Sequence, residues 1–143
     1  MSTGYSGTPL VRKLGLRPGW RVAVLRGPED LGELLGELPP GLRIVRRLGD
    51  RIDAAWIFVM TRAELERRLP EVLRRLPPDG TLWISWPKRA SGVPSDVTEN
   101  VLREVVLPTG WVDIKVCAVD ETWSGLRFVF RLSDRPARNG RAH

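Results

Sequence analysis

The stretch from Asp53 to Trp86 constrains this chain more than any other. After its first residue, Asp53-Ala54-Ala55-Trp56-Ile57-Phe58-Val59-Met60 is continuously apolar, too short for a helix of its own, and rich in aromatic and β-branched residues. That pattern predicts a central strand covered on both faces. Thr61 and Glu64 then have the spacing of a capping box, and Leu65, Leu69, Val72, Leu73 and Leu76 recur at helical intervals. Pro70 falls inside this stripe and predicts a kink or a split, because proline removes a backbone donor and clashes with the preceding turn. Pro77-Pro78-Asp79-Gly80 marks a loop, and Thr81 to Trp86 reads as a second buried strand. Strand, helix and strand in this order make a right-handed crossover, which commits the chain to an α/β architecture.

The flanks extend the same pattern. Thr8 and Pro9 suit the N-cap and first position of a short helix with Leu10, Val11 and Leu14 as its stripe and Gly15 as its stop. Val22-Ala23-Val24-Leu25 predicts a buried strand. Pro28 opens a helix carrying Leu31, Leu34, Leu35 and Leu38, and Leu42-Arg43-Ile44-Val45 predicts a peripheral strand. A further helix is expected from Ser95 or Asp96 to Leu107, with Val97, Val101, Leu102, Val105 and Val106 apolar. From Trp111 the residues alternate: Val112, Ile114, Val116 and Ala118 on one face, Asp113, Lys115 and Cys117 on the other. Leu126, Phe128, Phe130 and Leu132 then alternate against Arg127, Val129 and Arg131. A short connection makes these an antiparallel pair. The expectation is a three-layer, Rossmann-like α/β domain over residues 1–132, with a mixed sheet of about six strands and a C-terminal antiparallel hairpin. Residues 133–143 are polar, basic and patternless, and predict a disordered tail.

Composition narrows the function classes. The chain has 143 residues, 42% hydrophobic and 28% charged, which suits one soluble globular core. The net charge is +6, but the arginines are spread along the chain, and Arg67, Arg68, Arg74 and Arg75 fall on the polar side of an amphipathic helix. Nucleic acid is therefore not the expected partner, and a basic nucleic-acid or protein adaptor is kept as an alternative. Cys117 is the only cysteine, so no internal disulfide forms and a reducing compartment is expected. The start shows no signal-peptide pattern and no apolar stretch reaches the length of a membrane span, so the expected location is cytoplasmic with no membrane partner.

Two loops carry most of the polar chemistry: Trp86-Pro87-Lys88-Arg89-Ala90-Ser91-Gly92 and Val119-Asp120-Glu121-Thr122-Trp123-Ser124-Gly125. Each follows a strand, so each falls on the rim where open α/β sheets take ligands. Trp86, Lys88, Arg89, Ser91, Asp120, Glu121 and Trp123 are the candidate ligand-binding residues. Lys88 and the start of the following helix suit a small anionic ligand, and Trp86 or Trp123 an apolar group. Lys88 pairing with Asp120 or Glu121 across adjacent loops, with the tryptophans as lids on the core, is the purely structural alternative. A catalytic constellation is harder to find. Asp120 and Glu121 are neighbours on a turn and point apart, and Ser85, Ser91 and Ser124 have no core histidine because His143 is the only one. Neither zinc-ligand spacing nor a phosphate-binding Gly-Lys-Ser or Gly-Lys-Thr is present.

Leu16-Arg17-Pro18-Gly19-Trp20-Arg21-Val22-Ala23-Val24-Leu25, Asp53 opening the central strand, and Leu76-Pro77-Pro78-Asp79-Gly80-Thr81-Leu82 resemble the successive strand starts of the S-adenosylmethionine-dependent methyltransferase fold. The closing antiparallel pair resembles its final hairpin. Gly4 to Gly15, Trp86 to Gly92 and Cys117 to Gly125 are also similar to a small bacterial family classed as a domain of unknown function, which implies no particular activity. The methyltransferase resemblance implies a last strand inserted beside the one ending at Trp86. It also implies a glycine-rich loop after the first strand and an acidic residue after the second. Here those positions hold Arg26-Gly27-Pro28-Glu29-Asp30 and Arg46-Arg47-Leu48, with Asp50 out of register. A blocked first loop is expected, and so is the loss of one helix and strand, since about seven residues separate Val45 from Asp53. The expected function is a non-catalytic small-ligand-binding or regulatory module with no predicted cofactor. An S-adenosylmethionine-dependent methyltransferase, or another nucleotide-using enzyme, is the alternative.

Overall fold

The computed structural model describes residues 9–49 and 51–131. Expectations for Thr8 and the segment before it, for Asp50, for Leu132 and for the 133–143 tail lie outside the described residues.

The predicted crossover is the centre of the molecule. Strand β3 (Ala54–Phe58) is buried at every position, helix α3 (Arg62–Arg75) follows, and β4 (Thr81–Pro87) lies parallel to β3. Thr61 accepts the Glu64 amide at 3.0 Å, and Glu64 reaches back to the Met60 amide at 3.1 Å, one residue ahead of the N-cap. Contrary to expectation, α3 runs through Pro70 without a split. Pro70 sits on the exposed side, so the carbonyl of exposed Glu66 that loses its partner faces solvent. The charged face of α3 is laced by Arg68–Glu64 and by Arg74 and Arg75 to Glu71, as a solvated face should be.

Helix α1 (Leu10–Lys13), β1 (Arg21–Leu25), helix α2 (Leu31–Leu35) and β2 (Arg43–Val45) precede the crossover. Helix α1 starts one residue later than expected, with Pro9 as its N-cap. Helix α2 is shorter than its leucine stripe implied, because Gly36 turns to φ +73° and leaves Leu38 outside the helix. Helix α4 (Glu99–Val106) begins at the Thr98 cap rather than at Ser95 or Asp96. Those two side chains are used elsewhere: Ser95 Oγ donates to the Met60 carbonyl at 2.8 Å, and Asp96 accepts the Arg62 amide at 2.7 Å. Strands β5 (Trp111–Ala118) and β6 (Trp123–Phe130) form the closing antiparallel pair.

The sheet order is β2-β1-β3-β4-β6-β5, with β6 inserted antiparallel beside β4. Among the described residues no helix or strand separates β2 from β3, so β2 forms one edge. One face carries Ala55, Ile57, Ile84, Trp86, Leu126 and Phe128 against α3 and α4. The other carries Val22, Val24, Trp56, Phe58 and Trp83 against α1 and α2. Each buried Val, Leu, Ile or Phe side chain among them contributes about 1.5–3 kcal/mol by leaving water. Strand β5 departs from the expected alternation. An irregularity between Asp113 and Lys115 leaves Ile114 outside the register, and Ile114 and Val116 are both 53% exposed at the sheet edge. No helix of the described residues is long and apolar enough to cross a membrane.

Candidate ligand site beyond the carboxyl ends of the strands

The loop leaving β4 is built by its own short polar side chains. Ser91 Oγ donates to the Lys88 carbonyl at 2.7 Å and accepts the Val93 amide at 3.1 Å, closing a single 3₁₀ turn over Arg89–Ser91. Gly92 leaves that turn at φ +79°, a left-handed conformation that favours glycine. The Lys88 amide donates to the Thr122 carbonyl at 2.7 Å, which ties this loop to the β5–β6 turn. That turn is organised by Asp120, whose Oδ1 accepts the amides of Thr122 at 2.8 Å and Trp123 at 2.7 Å. Ser91 and Asp120 therefore shape the two loops.

A cavity of about 500 Å³ opens between the β4 loop and the start of α4. Trp86, Lys88, Arg89, Thr98, Glu99 and Ser124 line it. Trp86 is only 7% exposed and forms an apolar floor. Ser124 stands beside it because the antiparallel register pairs Trp86 with Ser124. Glu99, a carboxylate on the wall, is held by Arg103 at 3.1 Å.

The two tryptophans do not share this cavity. Trp123 pairs with Pro87 in the register, so its ring lies on the opposite face of the sheet and meets Phe58 edge-on with ring centroids 5.0 Å apart. Glu121 is exposed at the turn. The structure thus gathers Trp86, Lys88 and Arg89 of the expected set, adds Ser124, Thr98 and Glu99, and assigns Ser91 and Asp120 to loop construction. Ser124 becomes legible only once the β4–β6 register is known.

A second cavity, about 430 Å³, lies beside the ends of β1 and β2 on the α2 face. Val24, Leu31, Leu35 and Ile44 give it apolar walls, and Arg26, Glu29 and Arg46 supply charge. The Arg26–Asp30 loop therefore forms a wall of an open cavity, not the expected block. Gly27 is required here by packing, since a Cβ would come 2.8 Å from Val24 Cγ1. The end of β3 stands between the two cavities. Glu64 bonds the Met60 amide and pairs with Arg26 at 3.7 Å on one side, and the Met60 carbonyl accepts from Ser95 on the other. The apolar walls suit a planar ring, and Arg26, Glu29 and Arg46 set polar groups around it. Among the described residues no group of histidine, cysteine and carboxylate side chains is arranged to hold a metal.

No protein-family model and no curated protein sequence matches the chain. Solved structures do match its fold. A putative type 11 methyltransferase from Sulfolobus solfataricus aligns with a TM-score of 0.61 at 13% identity, covering 92% of this chain and 95% of that one. A SAM-dependent methyltransferase from Aquifex aeolicus gives a TM-score of 0.59 at 14% identity, with 83% and 86% covered. TrmN from Thermus thermophilus gives 0.54 at 15% identity over 85% of this chain, which spans about half (47%) of that protein. The chain has the Rossmann-like sheet of these methyltransferases, including the antiparallel β4-β6-β5 arrangement, and among the described residues no helix or strand lies between β2 and β3.

Proposed function

We propose that the protein is a small-ligand-binding domain on the methyltransferase fold, taking an anionic ligand in the cavity beyond β4. The observation that most supports this is the convergence of Lys88, Arg89, Ser124 and the apolar Trp86 floor on one 500 Å³ opening. Lys88 and Arg89 supply the positive charge, Ser124 offers a hydroxyl, and an apolar part of the ligand covers Trp86. The amino end of α4, at Thr98 and Glu99, adds a favourable dipole on the same wall. Isothermal titration with inorganic phosphate, small carboxylates and common nucleotides tests this. At least one is expected to bind, and Lys88→Ala to weaken it about tenfold, the loss of one charge-assisted hydrogen bond. Unchanged affinity in Lys88→Ala for every ligand that binds would sink the assignment.

Methyl transfer from S-adenosylmethionine is the second reading, favoured by the fold of the structural neighbours and by the cavity beside β1. When bound, that cofactor supplies an electrophilic methyl group. Val24, Leu31 and Ile44 would hold its purine and Glu29 its hydroxyls, leaving the Trp86 cavity on the far side of Met60 for the acceptor. Thermal unfolding separates the two readings. Stabilisation by S-adenosylmethionine that survives Lys88→Ala but disappears when Ile44→Trp fills the β1 cavity supports methyl transfer; no shift at millimolar cofactor refutes it.

A further inference from the structure

Away from the rim, the second face of the sheet holds a half-buried cation. Arg127 lies in the middle of β6, opposite Trp83 on β4 and Lys115 on β5. Its Nη2 donates to Thr81 Oγ1 at 3.1 Å, while its Nε is buried without an acceptor. Among the described residues no carboxylate pairs with it. Burial depresses the proton affinity of this guanidinium, and the nearby charge of Arg17 depresses it further.

The end of α1 lies against this guanidinium but does not satisfy it. The Lys13 carbonyl accepts from Lys115 Nζ at 3.0 Å, and the Leu14 carbonyl from Trp83 Nε1 at 2.8 Å. The carbonyls of Val11 and Arg12 are used by the amides of Leu16 and Gly15. Gly15 keeps the space beside Arg127 open: a Cβ there would stand 3.3 Å from Nη1, and its φ of +71° favours glycine. Lys13 and Lys115 lie on the same side, since both act electrostatically on Cys117. Arg17 and Lys115 thus stand beside one half-buried guanidinium, like charges whose proximity costs free energy unless an anion joins them.

We infer that Arg127, with Arg17 and the flanking Lys115 beside Gly15, forms a binding site for a tetrahedral oxyanion: inorganic phosphate or the phosphate group of a small metabolite. On the Gly15 side, Nη1 of the planar guanidinium offers a charged donor to a phosphate oxygen. Arg17, exposed and with its guanidinium 5.6 Å from the Trp20 ring centroid, adds a second donor. The site is separate from the Trp86 cavity, because Thr81 opens β4 whereas Lys88 lies beyond its far end. It requires neither reading of the rim.

The test uses the full chain at low ionic strength, with phosphate titrated against a chloride control of equal ionic strength. Thermal unfolding and calorimetry are the readouts. Phosphate is expected to raise the unfolding midpoint of the wild-type chain beyond the chloride control. Arg127→Met should abolish this effect, Arg17→Gln should weaken phosphate about tenfold, and Arg67→Gln, on the exposed side of α3, should leave this response unchanged. A glucose phosphate with the same response as inorganic phosphate would identify the phosphate group as the recognised element, whereas binding of inorganic phosphate alone would restrict the site to the free ion. The inference is overturned if phosphate gives no shift beyond chloride, or the same shift in Arg127→Met. Should Arg127→Met fail to fold, an undiminished phosphate affinity in Arg17→Gln overturns it.

Discussion

Replacing Ser85 by alanine probes the packing that joins the two halves of the sheet. Ser85 is 0% exposed, and its Oγ accepts the indole N–H of Trp56, itself 1% exposed, at 2.8 Å. Deleting the hydroxyl changes little volume, but it leaves that N–H among apolar neighbours where no solvent reaches. An orphaned buried donor costs about 1–3 kcal/mol. Ser85→Ala is therefore expected to lower the unfolding free energy by about 1–3 kcal/mol, or the thermal midpoint by about 3–10 °C. Trp56→Phe alone also destabilises, through the smaller ring and the orphaned serine hydroxyl. With both changes neither donor nor acceptor remains, so the double variant should be more stable than the sum of the single losses predicts, by about 1–2 kcal/mol. Urea unfolding of all four proteins, followed by far-ultraviolet circular dichroism, measures the coupling without depending on tryptophan emission. A Ser85→Ala loss below about 0.5 kcal/mol, or additivity within that margin, would refute the assignment of this bond as the partner of Trp56.

Three other outcomes are expected. Gly125→Ala should destabilise by about 1–3 kcal/mol, because its Cβ would come 3.2 Å from the Trp83 ring, which the Leu14 carbonyl anchors; equal stability by urea unfolding would show that the ring can move. Thr61→Ala should cost about 1 kcal/mol in the same assay by removing the acceptor for the Glu64 amide. Burial holds the Cys117 thiol above its ordinary pKa, with Lys13 and Lys115 opposing, so the fold favours the neutral form. That contribution is present at lower pH and is lost as pH rises past 9.0 and through the raised folded value. Accordingly, alkylation at pH 8 should be slower than for an exposed cysteine, and slower still in Lys115→Met.

Much of the scaffold was legible because its signals are local. The apolar run at Ala54–Met60, the Thr61–Glu64 spacing and the leucine stripe each act within one or two turns, and each produced its expected element. The misjudged boundaries depended on partners distant in sequence. Ser95 and Asp96 look like helix caps, yet Met60 and Arg62 engage them, so α4 starts at Thr98. Pro70 reads as a breaker, but its exposed position lets the helix continue. Ile114 breaks the alternation of β5 at an irregularity that the residue pattern does not announce.

The candidate site divides along the same line. Sequence by itself determined that Trp86 lies at the end of a buried strand with Lys88 and Arg89 just beyond it, and hence that they stand at the carboxyl rim of the sheet. Which side chains share a cavity was decided by the pairing of β4 with β6. Side chains alternate across a strand, so the register that sets Ser124 opposite Trp86 also sends Trp123 through to Phe58 on the other face. The same pairing brings Arg127 against Trp83 and Thr81, residues more than forty positions away, and leaves its charge half buried beneath α1. No periodicity in the chain encodes that juxtaposition, because it arises only when β6 inserts between β4 and β5.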